Sequence, residues 1–81
     1  MKLSSLREIK ALVAQLNNRP YEENIELFMP HMFADGKWAC DIKLAKFPES
    51  NTITPIVELL NQEKCYWWLS ECNGIIYFHV Q

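Results

Sequence analysis

Apolar positions recur at helical spacing at the start of the chain, where Leu6, Ile9, Leu12, Val13 and Leu16 form one stripe. Ser5 and Glu8 sit just ahead of it in the spacing of a capping box, which predicts a helix over residues 5–17. Asn17-Asn18 supplies a left-handed cap, and Pro20 cannot continue the ladder. A short acidic link, Tyr21 to Asn24, follows.

The pattern then changes to alternation. Asp35-Gly36 is a favoured pair for a two-residue hairpin turn, and that turn sets His31 opposite Cys40. In this register Ile25, Leu27, Met29, His31 and Phe33 share a face with Trp38, Cys40, Ile42 and Leu44. Glu26, Phe28, Pro30, Met32, Asp41 and Lys43 lie on the other. Pro30 falls at a position that needs an N–H, so a bulge or break is expected beside it.

After a polar loop from Pro48 to Thr52, Thr54 is placed as N-cap and Pro55 as the first residue of a short helix over 54–63, buried through Ile56, Leu59 and Leu60. A second hairpin turns at Asn73-Gly74 and sets Trp68 opposite His79. Trp67, Leu69, Ile76, Phe78 and Val80 make one of its faces, with Glu71 near the turn. Tyr66, Trp68, Ser70, Tyr77, His79 and Gln81 make the other.

The order is therefore αββαββ, and the predicted class is α+β: a two-layer domain whose antiparallel sheet of two hairpins is covered by two helices on one face. The 81 residues fit one domain, and 49% hydrophobic content with two glycines is ample for one core.

Charge and cysteine usage narrow the function. The net charge is -2, and the eight Lys and Arg are spread along the chain, which argues against a phosphate-binding surface. The start lacks the apolar run of a signal peptide and no stretch is long enough to span a membrane, so a cytoplasmic protein without membrane contact is expected. Three cysteines, Cys40, Cys65 and Cys72, are odd in number and without Cys-x-x-Cys spacing, so reduced thiols are expected. His31 and Cys40, opposed across the first hairpin, are the beginning of a nucleophilic site, but on a core face they read as structural. Glu22, Glu23 and Glu26 read as a solvated acidic stretch. No phosphate loop, nucleophile elbow or metal-ligand spacing occurs; no catalytic residue, metal or cofactor is expected.

What stands out is the face of the second hairpin that points away from the helices. Tyr66, Trp68, Tyr77 and His79 lie on it, and Phe28 and Met32 extend it if both hairpins share one sheet. The expected function is a small non-enzymatic protein-binding module, an inhibitor or accessory protein of phage, mobile-element or immunity type, meeting another protein or a second copy through this face. The alternative is a single-stranded nucleic-acid binder in which these rings stack on bases while Lys37 and Lys43 meet phosphates.

Overall fold

The computed structural model describes residues 1–19, 24–44 and 50–81. Glu22 and Glu23 of the acidic link, with Pro20 and Pro48, lie outside these. The elements are α1 (Leu3–Asn17), β1 (Glu26–Met32), β2 (Trp38–Lys43), α2 (Ser50–Gln62), β3 (Trp67–Cys72) and β4 (Ile75–Val80). The four strands form one antiparallel sheet in the order β1-β2-β4-β3, an α+β fold.

The sheet residues of the main buried cluster come from one side of the pleat, while Ala39, also buried, lies on the other. Cys40, Ile42, Leu44, Phe78 and Val80 pack with Leu6, Ile9, Val13 and Leu16 of α1 and with Ile56 and Leu60 of α2. Since side chains alternate, both helices cover the same face. The two helices pack on one another as well.

Both helices begin earlier than their sequence signals suggest. Helix α1 starts at Leu3, its N-cap Lys2 makes no side-chain capping bond, and Ser5 is buried inside the first turn, so the Ser5–Glu8 box is not the cap. The reason is the pairing of Met1 with Trp38, whose N–H donates to the Met1 carbonyl at 2.7 Å while the Met1 amine donates to the Trp38 carbonyl at 2.7 Å. At the other end Asn18 is not left-handed (φ -91°). The Asn17 side chain instead donates to the Ile25 carbonyl at 2.7 Å and accepts its N–H at 3.0 Å, clamping α1 to the strand that follows.

Helix α2 starts at Ser50, which puts Thr52 inside the helix and Pro55 within it rather than at its first position. A proline there has no N–H for the carbonyl four residues back, that of Asn51. Arg19 Nη1 donates to that carbonyl at 3.1 Å. The α2 exit carries Lys64 in the left-handed region (φ 56°), with Cys65 N–H bonded to the Leu60 carbonyl at 2.9 Å.

The second hairpin follows the expected register. Trp68 faces His79, and Asn73 (φ 53°) and Gly74 (φ 81°) are both left-handed, as a type I′ turn requires. In the first hairpin Gly36 has the expected positive φ (82°), but the loop has three residues. Phe33 N–H donates to the Lys37 carbonyl at 2.7 Å, Gly36 N–H to the Phe33 carbonyl at 3.0 Å, and Lys37 N–H to Asp35 Oδ1 at 3.0 Å. This is a type I turn closed by a left-handed glycine. A Cβ on Gly36 would meet nothing within 4 Å, so backbone strain alone penalises a substitution there. Gly36→Val should lower stability by about 1–2 kcal/mol, read as a shifted urea midpoint with unchanged slope.

The expected irregularity at Pro30 is present: Phe28 pairs with Asp41 but His31 pairs with Ala39, so Met29 (φ 51°) and Pro30 form a bulge. The longer loop shifts the register by one residue and the bulge by one more. Two shifts restore side-chain parity, so Ile25, Leu27, Glu26 and Phe28 stay on their expected faces. Between loop and bulge only one shift applies, and there the expected faces are exchanged.

Candidate functional site: the open face of the sheet

The face turned away from the helices is a grid of cross-strand rows. One row runs through all four strands: Phe28 opposite Asp41, Asp41 opposite His79, His79 opposite Trp68. The next holds Glu26, Lys43, Tyr77 and Ser70. On the far side of the first lie Tyr66, hydrogen-bonded to Gln81 through both backbone groups, and the His31–Ala39 pair. Asp41, Lys43, His79 and Tyr77 occupy the two central strands, with Phe28, Glu26 and His31 on one edge strand and Trp68 and Ser70 on the other.

Of the expected site residues, five meet on this face. Phe28 (42% exposed), Trp68 (41%) and Tyr66 (68%) are open to solvent, while Tyr77 and His79 are half-buried between their neighbours. Met32 is not among them. It pairs with Trp38, whose parity is that of the helix-facing Cys40 and Ile42, because it lies between the three-residue loop and the bulge. His31 moves the opposite way, onto the open face. It is exposed, its Nδ1 lies 2.9 Å from the Met29 carbonyl, and its ring meets Phe33 edge-on at 5.0 Å.

The His31–Cys40 pairing is thereby overturned, since the imidazole faces Ala39 on one side of the sheet and the thiol is buried on the other. Burial first, then the Asp41 carboxylate and the Cys65 thiol, push the Cys40 thiol from 9.0 up to about 12, against a small lowering by the N-terminal ammonium. Cys65 is raised by burial too. A thiol held protonated is a poor nucleophile. The same shifts make stability pH-dependent: it is fully present below about pH 9, where folded and unfolded thiols are both protonated. It is lost as pH rises toward 12, since only the unfolded thiols ionise in that window. Urea midpoints should therefore fall between about pH 9 and pH 11, and less steeply in Cys40→Ala.

The centre of the face holds a hydrogen-bonded chain that single-strand patterning did not foresee. Ser70 Oγ lies 2.6 Å from His79 Nε2, and His79 Nδ1 lies 2.9 Å from Asp41 Oδ1. The imidazole is layered between rings, with Trp68 at 5.2 Å and 24° and Tyr77 at 6.4 Å and 17°. Trp68 in turn leans on Tyr66 at 5.5 Å. Hydroxyl, imidazole and carboxylate stand in the order of an acyl-transfer triad. That chemistry also needs N–H donors converging on an oxyanion in a site that excludes water. Here Ser70 is a mid-strand residue paired with Tyr77. The alternation set by the doubly bonded Tyr66–Gln81 pair makes Ser70–Tyr77 a hydrogen-bonded pair, so the Ser70 N–H is spent in the ladder. What the chain of bonds does here is fix the imidazole plane, and with it the stack of Trp68 and Tyr77.

Comparisons with protein-family models, curated proteins and solved structures found no match. Among the described residues no group of three or more His, Cys, Asp or Glu is placed to hold a metal ion, and no helix there is long and apolar enough to cross a membrane.

Proposed function

We propose that this chain is a small protein-binding module, of inhibitor or accessory type, whose contact surface is the open sheet face. One observation carries the reading: both helices pack on the same side, so Phe28, Tyr66 and Trp68 stand exposed on rigid, paired strands with no element of the described fold over them. Four strands about 4.8 Å apart and roughly 20 Å long make a face of about 400 Å² in all, polar rows included, which is within the size range of the largest patch a monomer exposes. Tyr, Trp and Phe are the side chains that interfaces concentrate, and the Asp41–His79–Ser70 bonds fix the imidazole on which Trp68 and Tyr77 stack before any partner arrives.

The charges on the face support a protein rather than a nucleic-acid partner. Within the paired rows Glu26 and Asp41 oppose a single lysine, Lys43, which gives a phosphate backbone no net attraction. A second copy is the first partner to test, because a two-fold axis through the face covers Trp68 and Phe28 of both copies while Lys43 of each can reach a carboxylate of the other. The test is the mass of the purified protein by light scattering across a concentration series. A dimer supports self-association, a monomer that captures a defined partner supports a foreign one, and a monomer that captures none defeats the proposal.

A further inference from the structure

At one end of the sheet, away from the triad row, lies a cleft of about 610 Å³ formed where the first hairpin loop, the start of α1 and the link into β3 meet. We propose that this cleft binds a small aromatic anion of the nucleoside phosphate class. Three lysines line it, Lys2, Lys37 and Lys64, together with the rings of Phe33, Trp38 and Tyr66. They are three of the eight Lys and Arg in a chain of net charge -2, and they come from three separate connecting segments: the residues before α1, the first hairpin loop and the link between α2 and β3. That convergence is a property of the fold, invisible along the sequence.

The balance of charge in the cleft is positive. The acidic side chain that lines it, Asp35, has its carboxylate engaged by the Lys37 backbone N–H at 3.0 Å. Lys64 is placed at a conformational penalty: it holds the left-handed position after α2 (φ 56°), where glycine or asparagine is the unstrained choice. A lysine there brings an ammonium to the cleft that a glycine would not. The rings supply the other half of the site, since Phe33 and Tyr66 are exposed and Trp38 half-buried, so flat apolar surface faces the same space as the cations. The volume falls within the roughly 300–1,000 Å³ of small-molecule sites. Stacking surface beside ammonium groups suits a base joined to a phosphate.

The cleft shares Tyr66 and Gln81 with the margin of the proposed protein-binding face but none of its lysines, and Lys2 and Lys37 lie off that face, so changes at these lysines test the cleft separately. The experiment is calorimetric titration of the full chain with ADP, with pyrophosphate and adenosine as comparison ligands. ADP is expected to bind saturably below ~1 mM and at least about tenfold more tightly than either half-ligand. Lys37→Glu and Lys2→Glu, both at exposed positions, are each expected to weaken ADP about tenfold while leaving the thermal melt unchanged, and Phe33→Ala to weaken ADP more than pyrophosphate. Absence of saturable ADP binding, equal affinity for ADP and pyrophosphate, or binding indifferent to the lysine changes overturns the proposal. So does a short oligoribonucleotide that binds far more tightly than ADP, which would make the cleft part of a polymer track.

Discussion

Trp68→Glu should abolish association through the open face while leaving a cooperative melt. Trp68 is 41% exposed and its packing on the face consists of the stack on His79 and the contact with Tyr66. A cross-strand aromatic pair contributes about 0.2–1 kcal/mol, so the monomer should lose no more than about 1 kcal/mol and a few degrees of melting temperature. In a complex the same carboxylate would be stripped of water, at a cost of several kcal/mol. At 1.4 kcal/mol per factor of ten, that is a loss of affinity of two orders of magnitude or more. Light scattering and pull-down against wild type read the first effect and circular dichroism the second. An unfolded variant would move Trp68 into the core, and unchanged association would place the interface elsewhere.

Phe78→Ala should be the most damaging single truncation on the sheet. Phe78 has no exposed surface, sits on the central strand β4 between Ile42 and Leu69, and packs its ring on Trp67 at 5.5 Å. Removing a buried phenyl group costs about 3–5 kcal/mol. A chain of this length has about 4–12 kcal/mol in all. Chemical denaturation should show the variant barely folded at 25 °C, with its melting temperature lower by more than ~10 °C. Leu69 provides the control: it is the cross-strand neighbour of Phe78 on the same face, yet 51% exposed because β3 runs beyond the helical cover. Leu69→Ala should cost under about 1 kcal/mol. Equal losses in the two variants would mean that helix cover does not set the energetics of this sheet.

The comparison of Leu69 with Phe78 also shows what the sequence makes legible. Both stand at apolar positions of an alternating strand, and alternation reports the face but not how far a helix reaches along it. Asn73-Gly74 is read correctly because a two-residue turn with both φ positive suits that pair. Asp35-Gly36 serves equally well inside a three-residue loop with only the glycine left-handed, and this ambiguity exchanges the faces of His31 and Met32. Pro55 reads as a helix start because an internal proline leaves a carbonyl short of its donor. That carbonyl is met by Arg19, distant in sequence. The Asp41–His79–Ser70 chain was out of reach for a related reason: it exists only because β4 lies between β2 and β3, and strand order is set by the α2 crossover, which no local pattern encodes.

The bulge at Met29 and Pro30 bears on how copies of the chain can add to one another. A sheet has two free margins, and a chain that offered both could be extended at each end without limit. Here one margin is β1, where Pro30 offers no N–H and the bulge breaks the regular spacing of donors and acceptors, and the other is β3, which is regular from Trp67 to Cys72. Strand addition is therefore disfavoured at β1, and β3 is the more regular edge. Two molecules that join β3 to β3 leave only the bulged β1 margins outward, which opposes further growth of the sheet toward a fibre.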